Sequence, residues 1–120
     1  MNKIQSYKDL MVWQKAMELV KLTYDLIKAL PNEERFALAD QMRRSAISVP
    51  SNIAEGFERG SPKEYLRFLS IAKGSKSELM TQVEICKMLG YKKNTNEIEQ
   101  IGDEIGKMLN TIIKKLTPNA

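Results

Sequence analysis

All five arginines of this chain, Arg35, Arg43, Arg44, Arg59 and Arg67, fall between residues 35 and 76. A guanidinium suits oxyanion binding because its planar fork presents paired N–H donors. That segment carries eight basic and four acidic side chains, whereas residues 1–34 hold five of each and residues 77–120 six of each. The formal charge of +4 is therefore local, and an anionic partner is expected to meet the middle third. Arg43 and Arg44 are adjacent, so on a helix they point about 100° apart and cannot both face a core. Phosphate contact is one reading of the pair; an internal ion pair with Asp40 or Glu55 is the other. Lys63 and Arg67 share a helix face with Arg59 just before it, the densest local basic patch. A solvated helix start would also explain these three. Yet cations gathered at a helix N-terminus oppose the local dipole, which favours a binding role.

Other chemistries are excluded by what is missing. The sequence has no histidine and one cysteine, Cys86, which rules out a Cys/His zinc site, a Ser-His-Asp triad and a disulfide framework. No spacing sets a second carboxylate beside Glu55, so that residue reads as a structural partner rather than a catalytic acid. The expectation is a protein that is not an enzyme and has no catalytic residues, metal or cofactor. No run of ~18 apolar residues is present and the N-terminus lacks the apolar centre of a signal peptide, so a cytoplasmic protein without a membrane partner is expected.

The elements that must carry these residues are helical. With 120 residues and 42% hydrophobic side chains, the chain suits one domain, residues 1–120, with a single core. Punctuation divides it into four amphipathic segments. The first is expected from about Lys8 to Leu30 with Trp13, Met17, Val20, Tyr24 and Ile27 as its stripe. The second begins near Glu33, with Phe36, Ala39, Met42, Ala46, Val49, Ile53 and Phe57 in phase and Gly56 and Gly60 at a fraying end. Pro50 lies within it, but the apolar phase does not slip across the proline, so one kinked helix is expected.

Ser61-Pro62-Lys63-Glu64 reads as an N-cap, a proline at the first helical position and a capping glutamate. It opens a third helix that runs ~40 Å to Leu89-Gly90, with Phe68, Ala72, Ser75, Leu79, Val83 and Cys86 inward. The fourth carries Ile98, Ile101, Ile105, Leu109, Ile112 and Leu116. The predicted fold is all-α, an antiparallel, left-handed up-down-up-down four-helix bundle. Trp13, Phe36, Met42, Ile53, Phe68, Leu79, Ile105 and Ile112 are expected inside. Met17, Met42, Met80, Met88 and Met108 are read as core filling, and Cys86 as a buried thiol.

Two features suggest self-association. Ser70, Gly74, Ser77 and Thr81 recur every three or four residues on the third helix, a row of small side chains that admits another surface, with Leu66 also on its outer side. Leu10, Met11 and Val12 add apolar groups around Trp13 beyond what one core stripe needs. Gly102 and Gly106 in the fourth helix predict a further tight contact, within or between chains.

From Arg43 to Tyr91 the text becomes specific. Arg43-Arg44, then Ser48-Val49-Pro50-Ser51-Asn52-Ile53-Ala54-Glu55-Gly56, then Ser61-Pro62-Lys63-Glu64 with Arg67-Phe68-Leu69, resemble the bacterial four-helix-bundle family named after reading frames within intervening sequences of 23S rRNA genes. The resemblance covers nearly the whole chain. A relative of that family, the accessory variability protein of diversity-generating retroelements, is a barrel-shaped homopentamer that binds nucleic acid and a reverse transcriptase. The resemblance thus implies a homo-oligomer, a pentamer first and a dimer as fallback, that binds RNA or DNA. Arg43, Arg44, Arg59, Lys63 and Arg67 are the candidate phosphate contacts, and Leu66, Ser70, Gly74, Ser77 and Thr81 the candidate interface. The alternative is an adaptor that binds a protein partner and no nucleic acid.

Overall fold

The computed structural model describes residues 3–118. Four helices account for most of them: α1 (Met11–Ile27), α2 (Leu38–Glu58), α3 (Pro62–Met88) and α4 (Asn96–Leu116). Single 3-10 turns at Tyr7–Asp9 and Asn32–Glu34 precede α1 and α2, and no strand occurs among the described residues. Each helix packs on its neighbours in the chain, and α4 closes back onto α1. That cycle of contacts is a four-helix bundle around one apolar cluster. The long dimension, 45 Å, follows from α3, whose 27 residues span about 40 Å.

Local chemistry explains the ends of α3. The Ser61 hydroxyl accepts from the Glu64 amide at 3.2 Å, and Pro62 occupies the first turn, where its missing N–H costs nothing. At the far end Gly90 adopts φ +77°, a left-handed conformation that stops the helix without the Cβ penalty. The inward stripe from Phe68 to Cys86 is buried as its spacing implies, together with Leu69 and Gln82.

Helix α2 runs unbroken through Pro50, which is buried. In the turn spanning the proline, the Asn52 side-chain amide donates to the Ser48 carbonyl at 2.8 Å and to its hydroxyl at 2.9 Å. Ser48 Oγ in turn shares a 2.8 Å hydrogen bond with Ser75 Oγ on α3. Further along, a Cβ on Gly56 would lie 2.7 Å from the Phe68 Cβ and 3.3 Å from the Tyr65 carbonyl oxygen. Gly56 is therefore a packing residue within the helix, not the mark of a fraying end. Gly60, at φ +79°, makes the turn.

Several positions depart from the sequence reading. The buried stripe of α1 is Val12, Ala16, Leu19, Thr23 and Leu26, one residue out of phase with the expected one. Both stripes have the same spacing, and the polar Thr23 disguised the true one; its hydroxyl donates to the Leu19 carbonyl at 2.7 Å, which permits full burial. Trp13 is only partly buried, edge-on to Tyr7 at 5.4 Å, while Met17 at 45% exposure and Tyr24 face solvent. Phe36 is not core at all: it precedes α2, is 85% exposed, and carries the Arg35 guanidinium 5.1 Å from its ring centroid. The turn after Pro31 delays α2 to Leu38 and takes Phe36 out of helical register. Val12 belongs to the core rather than to an apolar surplus. Ile112 is partly buried and Met88 exposed, so neither fills the core as expected.

Gly102 and Gly106 pack within the chain. A Cβ at Gly102 would sit 2.6 Å from Met80 Sδ, and one at Gly106 would lie 3.1 Å from Lys76 Nζ, both on α3. The α3–α4 joint is tied by Glu99, which accepts from the Thr95 hydroxyl and from Lys87 Nζ at 3.4 Å. The Thr95 hydrogen bond first, with Lys87 adding to it against partial desolvation, holds the Glu99 carboxyl below the ordinary carboxylate range.

Two outcomes are expected. Gly56→Ala should destabilise the fold by about 1–3 kcal/mol in urea denaturation, because both obstructing groups are near or on backbone; Gly74→Ala, where a Cβ meets nothing within 4 Å, should be neutral or stabilising by up to about 1 kcal/mol. A group with a depressed folded pKa adds stability above its unfolded value, lost as pH falls through the folded one. Glu99→Gln should therefore lower stability at neutral pH and lose less than the parent on acidification below the ordinary value of 4.5. Thermal melts at stepped pH would check this.

Candidate nucleic-acid interface

The turn at Gly60 brings the end of α2 against the start of α3, and with it Arg59, Lys63 and Arg67. The Arg59 and Arg67 guanidinium carbons lie 5.0 and 4.9 Å from the ring centroid of Phe68. One buried aromatic ring thus holds two exposed cations in place through its quadrupole. Arg59 also pairs with Glu55 at 3.2 Å and Arg67 with Glu64 at 3.5 Å. Glu58 lines the same depression as Glu55 and Phe68, so three carboxylates balance the three cations at this corner. Both pairs are solvent-exposed, and such bridges contribute roughly 0–1 kcal/mol, so a phosphate can displace the carboxylates at little cost. Lys63 is exposed and makes no ion pair among the described residues.

Arg43 and Arg44 do not join this group. They lie sixteen and fifteen positions before Arg59 along α2, about 24 Å away at the standard rise. Arg44 is exposed and pairs with Asp40 at 3.1 Å, the internal partner that the sequence had offered as the alternative. Arg43 is half-buried.

The residues proposed for self-association lie in line with the basic patch. Ser70, Gly74, Ser77 and Thr81 are all exposed, and they continue the line that Lys63 and Arg67 begin on α3. Ser70 and Thr81 donate their hydroxyls to the carbonyls of Leu66 and Ser77, so neither projects a free donor and the row is flat. Leu66 is only half-exposed at its flank. The two candidate surfaces, read separately from the sequence, are one continuous face of one helix. Among the described residues 65–77 there is no acidic side chain, while Arg67, Lys73 and Lys76 are all present.

Phe68 is the residue whose role the sequence concealed. Its spacing marks it only as core, and its contact with Arg59 depends on how the two helices cross. Ser48, Asn52, Pro50, Ile53 and Gly56 of the most distinctive motif are absorbed by packing and hydrogen bonding between α2 and α3. Cys86 is fully buried, its thiol donating to Met42 Sδ at 3.7 Å; burial first, then the nearby Glu34 carboxylate, pushes that thiol up and keeps it neutral. No helix among the described residues is long and apolar enough to cross a membrane.

A helical bundle with a basic α2–α3 corner and a flat α3 face is thus the class of protein defined here. Residues 8–111 match the family described as 23S rRNA-intervening sequence protein, and the chain belongs to that family. Among solved structures it is similar to a protein of unknown function from the S23 ribosomal protein family of Bacteroides thetaiotaomicron VPI-5482. The two are 30% identical, with a TM-score of 0.76 over 87% of this chain and 99% of the other. Comparison with curated proteins finds no match.

The patch assignment predicts that Phe68→Leu, which keeps an apolar core residue but removes the ring, loosens Arg59 and Arg67. Their guanidinium side-chain NMR signals should sharpen and move toward random-coil values, while those of Arg43 and Arg44 stay unchanged.

Proposed function

We propose that this protein is a non-enzymatic, self-associating helical bundle that binds RNA or DNA through phosphates. The observation that carries this reading is the α2–α3 corner, where Phe68 holds Arg59 and Arg67 beside Lys63 at the head of an acid-free stretch of α3. In this reading the bundle is antiparallel, up-down-up-down and left-handed, α2 bends at Pro50, and the chain acts in the cytoplasm.

Self-association matters to the mechanism because a patch of three cations binds weakly alone. Several copies on one assembly raise the effective concentration of the next contact. The flat row Ser70, Gly74, Ser77 and Thr81 is the proposed interface, with a pentameric ring as the leading form and a dimer as the fallback. A second reading, an adaptor for a protein partner, is supported by the ion pairs that already occupy Arg44, Arg59 and Arg67.

Binding should fall steeply with salt and depend little on sequence, since phosphate contacts release counterions without reading bases. Joint Arg59→Glu, Lys63→Glu and Arg67→Glu substitution should weaken binding at least about tenfold and reduce the salt slope by about 2–3 at unchanged helical content. Fluorescence anisotropy with RNA and DNA oligonucleotides at several salt concentrations measures both. An unaltered affinity in the triple variant sinks the patch; a parent that binds neither at low salt moves the conclusion to the adaptor. For the interface, Gly74→Trp should leave the folded chain intact, because a side chain there meets nothing of its own, yet shift the mass seen by light scattering to that of a monomer. A parent that is monomeric at high-micromolar concentration ends the oligomer reading.

A further inference from the structure

The chain's excess of positive charge is confined to two stretches. Residues 65–77 hold Arg67, Lys73 and Lys76, residues 105–118 hold Lys107, Lys114 and Lys115, and neither holds a carboxylate. In the rest of the chain thirteen cations meet fifteen carboxylates, so the formal charge of +4 arises entirely from these six side chains. Far apart in sequence, the two stretches are neighbours in the fold. Lys87 meets Glu99, Met80 sits over Gly102 and Lys76 over Gly106, contacts that step back along α3 as they advance along α4. The same register continued by about one turn brings Lys73 beside the part of α4 that holds Asn110.

Lys76 shows how closely the helices approach. A Cβ on Gly106 would lie 3.1 Å from its Nζ and 3.3 Å from its Cε, so the half-buried side chain lies across the seam with its ammonium over the α4 backbone. Among the described residues no carboxylate pairs with it, nor with the exposed Lys73 and Lys114. Lys107 pairs with Asp103 at 3.4 Å, but both side chains are largely exposed, and such a bridge is weak. Lys107, Asn110 and Lys114 follow one another at three and four residues on the outer side of α4. Lys107 and Lys114 are about 10 Å apart along the axis, and Lys76 and Lys73 fall between their levels on the α3 flank. Such a row suits an anion whose charges repeat along its length.

The lack of apolar groups narrows the partner. Helix α4 exposes no large hydrophobic side chain; on α3, Ile71 points about 140° away from Lys76 and Met88 ends the helix. A protein interface has an apolar centre, and a helix that lies in a membrane surface inserts apolar side chains. The seam offers neither. Lysine ammoniums act as point charges, which suit phosphates and carry no base readout.

We infer that the α3–α4 seam is a second phosphate-binding surface, on which Lys73, Lys76, Lys107 and Lys114 meet successive phosphates of a nucleic-acid strand. The inference rests on the nucleic-acid reading above and differs from it in place. At the α2–α3 corner carboxylates balance the cations, whereas three of the four seam lysines have no such partner.

The test titrates the full chain into labelled oligo(dT) and oligo(U) over a salt series, read by fluorescence anisotropy. Joint Lys73→Gln, Lys76→Gln, Lys107→Gln and Lys114→Gln substitution should weaken binding at least about tenfold and reduce the salt slope by about 3. Arginine at the same four positions should keep the parent's affinity and slope. A triple Gln variant that leaves the half-buried Lys76 in place should lose about 2 from the slope at an unchanged melting temperature, which separates lost charge from lost fold. In amide NMR either oligonucleotide should shift residues 73–77 and 106–114. The seam is wrong, and the nucleic-acid reading survives, if the parent binds while the quadruple Gln variant matches it, if the shifts are confined to residues 59–67, or if the arginine variant loses as much as the glutamine one. A parent that binds neither oligonucleotide at low salt ends both. Phosphatidylglycerol vesicles that occupy the seam lysines where oligonucleotides do not would replace the inference with a membrane surface.

Discussion

The close approach of α2 to α3 is the constraint on which the rest of the molecule depends. At Gly56 the helix surfaces meet with no room for a Cβ, and further back the Ser48–Ser75 hydrogen bond fixes their register. Small residues at both points let the backbones come together, so that Phe68, Leu69, Ile53 and Val49 close the core between them. Because the two helices are held in one register, what lies along the pair is positioned too. One end gathers Arg59, Lys63 and Arg67 around the Gly60 turn; the other opens into a polar groove lined by Ser45 and Gln82.

This arrangement explains why the most distinctive stretch of sequence, Ser48 to Gly56, holds so few groups with chemistry of their own. Its side chains build the seam. The cations that could meet a partner are supplied just outside it, on the turn and on the first turns of α3, and Phe68 links them to the core. Exposed pairs with Glu55 and Glu64 hold the arginines in defined positions at a cost of roughly 0–1 kcal/mol each to break.

The outer face of α3 imposes a further economy. Cations at its N-terminal end run straight into the flat row from Ser70 to Thr81, so the basic corner and the row share one exposed face. Gly102 and Gly106, in contrast, have their partners at home in Met80 and Lys76, and they draw α4 onto the inner flank of α3 without leaving a surface for another chain.

The sequence by itself determined the four helices, the caps and stops of α3, the inward stripe of α3 and that of α4 as far as Leu109, and the concentration of arginine in the middle third. These follow from chemistry within a few residues: the Ser61-Pro62 start, the Gly90 stop and a repeat of three and four are local and strong. Tertiary structure alone decided the phase of α1, where two equivalent stripes compete and Thr23 is buried by bonding to its own helix. It also decided the place of Phe36, which a turn after Pro31 throws clear of the bundle. Joining Arg59 and Arg67 on one ring, separating them from Arg43 and Arg44, and leaving Gln82 Oε1 without a partner are likewise products of how helices cross. A linear text carries each side chain's preference, but distances between helices arise only when all of those preferences are satisfied at once.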